Sequence, residues 1–206
     1  MAPHMAIVDP ELTLTLPRKT TLWTGLDALT HALEAYASTL SNLLSDLLAL
    51  EAIKLVLESL GRAVNHGENI GAREDMAMAS LLAGAAIQQV GLGLVHAMSH
   101  QVSGFYDTPH GLTNAKLLAP VFAFNLPDMP EDKRASLDSL SEMSFQEVLT
   151  EIDQRHGLTD EVITIRECDL EVMSKRAREN VNVKTNPRHP EPSEIESLYR
   201  SIFTVV

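Results

Sequence analysis

Apolar residues in the stretch TGLDALTHALEAYA, residues 24–37, recur at Leu26, Leu29, Leu33 and Tyr36. That is the spacing of one face of an α-helix, and the same period returns along most of the chain. Helical signals begin at Thr24-Gly25. A second helix is predicted over 45–60, with Ser45 and Asp46 at its start and Gly61 just past its end. A third covers 72–90, where Ala77, Ala79, Ala83, Gly84, Ala85 and Ala86 permit close approach of a neighbouring helix. A fourth covers 94–104 and stops at Gly104. A fifth runs from His110 to Phe124 and is stopped by Asn125 and Pro127. Amphipathic patterns over 131–140, 144–156, 170–180 and 192–202 complete seven to nine helices. Aromatic residues make up only 4% of the 206 residues, which suits tightly packed helices better than a β-sandwich.

The segment MAIVDPELTLTLP, residues 5–17, reads differently. Ala6-Ile7-Val8 is a strand-like run stopped by Asp9-Pro10, and no second convincing strand offers it a sheet. It reads as an extended remnant or linker (1–17) ahead of a helical domain (18–206). The net charge of −12 repels polyanions, so nucleic acid and anionic membrane are set aside as partners. The most apolar run, 76–86, is too short to span a bilayer. The start of the chain lacks the basic and apolar regions of a secretory signal, and the lone cysteine, Cys168, excludes an intrachain disulfide framework. A cytoplasmic chain is expected.

Two helices carry the same side-chain geometry. Asp27 and His31 lie four residues apart and share a face; His96 and His100 repeat the spacing in GLVHAMSHQVSGFYDTPHG. His110 follows a proline turn that folds back toward His96. One carboxylate and three imidazoles, from Asp27, His31, His96 and His110, form a donor set suited to Fe(II) or Zn(II), with Ni(II) also accommodated. No thiolate is near. His100, a turn from His96, falls at the mouth of such a site, where it can relay a proton. Spacing alone leaves the set open, because paired histidines also occur as surface or satisfied core residues.

The stretches AIVDPELTLTLP, TGLDALTHALEAYAS, SDLLALEAIKLV, GLGLVHAMSHQVSGFYDTPHG and TNPR together resemble the helical domain of the iron-containing (group III) alcohol dehydrogenases. The resemblance implies an all-α, multi-helix domain of the dehydroquinate synthase-like type. It places metal ligands on Asp27, His31, His96 and His110, and an active-site histidine near the nicotinamide on His100. It also implies reversible hydride transfer between a small alcohol and NAD(P), with a Rossmann-like domain holding the dinucleotide. Asp27 and all three ligand histidines favour the metal-dependent branch. No glycine-rich pyrophosphate turn occurs in this sequence. The chain is therefore expected to bind metal and to turn over little alcohol without a nucleotide-binding half, in cis or as a separate chain. A homo-oligomer is also expected.

The remaining polar residues read as structural. Glu34, a turn beyond His31, is either a partner for a ligand imidazole or, as expected here, part of a solvated face. His4, His66, His156 and His189 fall to loops and surface, as does the acidic pair Glu131-Asp132. Phe105, Tyr106 and Trp23 read as packing residues, and Cys168 as a surface or half-buried thiol. Two alternatives stand beside the dehydrogenase: a catalytically silent helical module, and a metal hydrolase, which the lack of an HExxH pattern disfavours.

Overall fold

In the computed structural model, residues 5–206 are described, and among them the chain forms nine α-helices. They are α1 (Arg18–Ala37), α2 (Leu43–Asn65), α3 (Ile70–Val90), α4 (Leu94–Tyr106), α5 (His110–Asn125), α6 (Glu131–Asp138), α7 (Phe145–His156), α8 (Glu167–Glu179) and α9 (Pro192–Ile202). The all-α architecture read from the periodicity is the one observed. A two-residue parallel pair, β1 (Thr164–Ile165) with β2 (Thr204–Val205), is the addition the pattern did not predict. It ties the entry of α8 to the end of α9, and two residues per strand are too short to leave an alternating signature.

The centre of the domain is α1. It packs on α2, α3 and α5 and touches α4. Leu26, Leu29, Ala32, Leu33 and Ala35 are buried, but so are Ala28, Thr30 and Glu34. A helix buried nearly all round is a core helix with almost no solvent face. Around it α3 buries Ala72, Ala79, Ala83, Ala86 and Val90 at helical spacing. Ala77, Gly84 and Ala85 lie on its other, more open side, so only part of the small-residue run mediates close packing. A second group forms where α4 packs on α5 and α8, with α9 against α8. The buried Tyr199 hydroxyl of α9 donates to the Met98 carbonyl of α4 at 2.9 Å.

Several helix ends fall elsewhere than predicted, each for a local reason. The α2 N-cap is Asn42: its side chain accepts from the Leu44 and Ser45 amides, and Ser45 answers as the third residue of a capping box. Gly61 is inside α2, which runs on to Asn65. Gly104 is inside α4, which ends instead at Asp107, in the left-handed conformation with φ 51°. Residues 6–8 form no strand; Ile7 is exposed and the first regular structure is a 3-10 turn over Pro10–Thr13. His66 and His189 are exposed, whereas His156 sits half-buried in the last turn of α7. His4 lies outside the described residues. Trp23, Phe105 and Tyr106 pack partly buried against the core, and Cys168 is exposed. Among the described residues no single helix is long and apolar enough to cross a membrane.

Backbone approach sets the spacing of the helices that matter below. A Cβ on Gly111, in the first turn of α5, would lie 2.7 Å from the Trp23 carbonyl oxygen of α1. Main chain cannot step aside as a flexible side chain can. We expect Gly111→Ala to cost about 1–3 kcal/mol in urea unfolding, the usual scale for overpacking. Gly104→Ala, whose Cβ would meet open space, should be neutral or stabilising by about 1 kcal/mol through helix propensity. Equal behaviour of the two variants would remove the α1–α5 backbone contact as a determinant of stability.

Candidate metal centre

Three helices meet at one cluster. Asp27 and His31 come from α1, His96 and His100 from α4, and His110 from the first position of α5. The convergence needs the turn between α3 and α4, where the helix axes differ by 103°. At that turn a Cβ on Gly93 would lie 2.9 Å from Glu34 Oε1, so the chain passes directly over the Glu34 carboxylate.

Glu34 is therefore not on a solvated face. It is 7% exposed and accepts four hydrogen bonds. The Gly93 and Val95 amides donate to it at 2.8 and 2.6 Å, the His96 amide at 3.3 Å, and His96 Nδ1 at 2.6 Å. The remaining opening amide of the helix, that of Leu94, donates to Asn186 Oδ1 at 3.1 Å. These contacts satisfy the opening amides of α4, which lack partners within the helix. They also place a carboxylate where the helix dipole favours one. Asn186, from TNPR, is held in turn by Asn125, to which its Nδ2 donates at 2.7 Å.

With Nδ1 committed to Glu34, His96 turns Nε2 toward Asp27, 3.7 Å from Oδ1. His110 Nε2 is also 3.7 Å from Asp27 Oδ1. One donor atom each from Asp27, His96 and His110 lies within 4.8 Å of the others. Ligands at about 2.0–2.2 Å from a tetrahedral ion sit on the order of 3.5 Å apart, so small side-chain movements suffice to close on one. His31 stands beside this trio. Its Nδ1 is 2.7 Å from the Asp27 carbonyl oxygen, which leaves Nε2 free, and its ring centroid is 4.4 Å from that of His96. His100 is exposed; its ring stacks on His110 at 5.5 Å and lies 5.9 Å from His96. The sequence thus named every histidine of the cluster. It missed Asn114, one turn beyond His110 on α5, whose Nδ2 lies 2.6 Å from Asp27 Oδ1. The HxxxN spacing from His110 was the available signal.

The two carboxylates dominate the electrostatics of the cluster. Burial would raise Asp27, but the His96 and His31 rings and the Asn114 amide outweigh it and hold the carboxyl at about 2. Burial would lower His96, but Glu34 and Asp27 outweigh it and draw the ring up to about 9. Burial, with the His96 charge acting the same way, holds His31 and His100 below the ordinary imidazole value. Burial also lowers His110. Two carboxylates thus favour the protonated form of His96, and burial favours the neutral form of the neighbouring imidazoles. A cavity of about 410 Å³ between residues 7–16, α1 and α3 is lined by none of these histidines.

Removing the Glu34 charge should be costly, because it leaves opening amides of α4 and His96 without an anionic partner. We expect Glu34→Gln to destabilise the ion-free chain by about 3 kcal/mol in chemical unfolding, the scale of a broken buried ion pair. A loss below about 0.5 kcal/mol would mean that α4 is positioned by other contacts.

Comparison with known proteins identifies the family of the chain. Residues 21–203 match the Fe-containing alcohol dehydrogenase family, C-terminal. The chain is 39% identical over 214 residues to the 1,3-propanediol dehydrogenase of Citrobacter freundii, covering 98% of this chain and 55% of that protein. It is 36% identical to the NAD-dependent methanol dehydrogenase of Bacillus methanolicus, covering 98% and 56%. The iron-containing alcohol dehydrogenase of Thermotoga maritima superposes with a TM-score of 0.88 at 30% identity, covering 98% of this chain and 54% of that one. The chain spans about half the length of the curated relatives it matches. It belongs to the Fe-containing alcohol dehydrogenase family and corresponds to the C-terminal, helical part of its members.

Proposed function

We propose that this chain is the metal-holding half of a cytoplasmic NAD(P)-dependent alcohol dehydrogenase. The observation that carries the reading is the convergence of Asp27, His96 and His110 donor atoms within 4.8 Å of one another, with His31 alongside. One carboxylate and three imidazoles fit Fe(II), and also accept Zn(II) or Ni(II). A divalent ion bound there supplies Lewis acidity toward the oxygen of a small alcohol or aldehyde.

The chain's own residues have distinct tasks in this reading. Asp27 provides the anionic donor. Glu34 fixes the His96 ring, and the Asp27 carbonyl fixes the His31 ring, so that each presents Nε2. Oxidation of an alcohol removes a hydride from carbon and a proton from oxygen. His100, exposed at the rim and held below the ordinary imidazole value by burial and by its neighbours, is the group placed to take that proton. The dinucleotide falls to a Rossmann-like half, for which residues 1–17 serve as linker and 18–206 as the partner domain. The name of the Bacillus methanolicus relative supports NAD, and those of both relatives support a short alcohol as substrate.

The first test is elemental analysis of protein purified without chelators. About one Fe, Zn or Ni per chain is expected, with most of it lost in His110→Ala. A parent that takes up no ion even after anaerobic reconstitution with Fe(II) or Zn(II) would overturn the reading and leave a silent helical module. Ester or phosphate hydrolysis without any nucleotide would favour the hydrolase instead.

A further inference from the structure

The Asn114 amide occupies an unusual position. The residue is fully buried on α5, one turn beyond His110. Its Nδ2 lies 2.6 Å from Asp27 Oδ1, 3.0 Å from His110 Nε2 and 3.2 Å from His96 Nε2. One amide nitrogen with two hydrogens thus sits among donor atoms contributed by three different helices. The other end of the same amide is unsatisfied: Asn114 Oδ1 is buried with no hydrogen-bond partner.

The two ends together explain each other. Turning the amide over would point Oδ1 at Asp27 Oδ1, acceptor against acceptor at 2.6 Å, so the carboxylate dictates that the nitrogen faces the cluster. The result strands a buried acceptor, which an apolar side chain of the same size would not do. Asn114 therefore makes poor sense as a packing residue and good sense as a donor to the cluster. Asp27 Oδ1 and the lone pair of His110 Nε2, 3.7 Å apart, are both acceptors and need a hydrogen-bond donor between them. A neutral amide that donates to both holds them at near-ligating separation without carrying a charge that would compete with a cation.

We infer that Asn114 is a positioning residue of the metal centre: it preorganises Asp27 and His110 for the ion and thereby sets metal affinity. The inference rests on the metal-site reading above. It assigns Asn114 no contact with substrate. The carboxylate oxygen has a second lone pair, so Asn114 can keep its bond to Asp27 after an ion arrives, while the His110 nitrogen turns from the amide to the ion.

The test compares Zn(II) binding by the parent chain, Asn114→Leu and Asn114→Asp, using competition with a chromophoric chelator alongside circular dichroism and thermal unfolding. Asn114→Leu keeps the volume, removes the donor and removes the stranded oxygen. It should retain parental helicity, with the donor lost to Asp27 set against the relieved oxygen in its unfolding temperature, and bind Zn(II) about tenfold or more weakly, the scale set by outer hydrogen-bond partners of metal ligands. Asn114→Asp keeps the shape and replaces the donor with a second carboxylate against Asp27. Its metal-free form should unfold at lower temperature, and Zn(II) should raise that temperature by more than it does in the parent. A merely structural role would move stability without moving affinity. Parental affinity within twofold in Asn114→Leu, or, should that variant not fold, a parental Zn(II) response in Asn114→Asp, would overturn the role of Asn114. A parent chain that binds no Zn(II) in the same assay would overturn the metal-site reading itself and this inference with it.

Discussion

The domain is organised around one buried carboxylate. Glu34 projects from the central helix and takes three backbone amides and one imidazole N–H from the start of α4. A charge in that position is tolerated only because every contact it makes is a donor, and because the helix N-terminus and the His96 ring both carry positive charge toward it. The consequence is mechanical as well as energetic. The contact locks α4 to α1 in register, so that His96 enters the space beside Asp27 with Nε2 leading.

The rest of the cluster depends on that register. His110 reaches Asp27 because α5 can lie close enough to α1 for Gly111 to touch the Trp23 carbonyl. His31 is aligned by the carbonyl of its own helix, one turn back. Asn186, from the C-terminal part of the chain, then secures the α4 turn and is itself held by Asn125 at the end of α5. That explains why TNPR, far in sequence from every histidine, belongs with them: it closes the last open amide at the start of α4. The side chains of the cluster are thus supported from behind by buried polar contacts, while His100 and His110 remain open toward solvent.

Where the sequence was legible, it was so through period and spacing. Leu26, Leu29, Leu33 and Tyr36 marked α1, and the paired i, i+4 positions marked Asp27 with His31 and His96 with His100. Helix ends were less legible because capping depends on which of several suitable residues wins locally, as Asn42 did over Ser45 at the start of α2. Glu34 was misread for a related reason. A charged residue within a helix suggests a solvated face only if the helix has one, and α1 is enclosed by its neighbours. Its setting in Ala32-Leu33-Glu34-Ala35-Tyr36 carried the opposite hint, since an isolated charge in an apolar run needs a buried partner. Asn114 went unnoticed because an amide has no charge and no habit as a ligand; only its neighbours reveal what it donates to.

The sequence by itself determined the class of the fold and the chemical character of the cluster. Helical periodicity is written in local order, and the residue types that bind divalent ions are few and recognisable at one-turn spacing. Tertiary structure alone decided which of those residues face one another. Asp27 and His110 are 83 positions apart, and their 3.7 Å approach depends on a sharp turn, a glycine against a carbonyl and a buried carboxylate. These are contacts between distant segments, and no local pattern encodes a distance between helices.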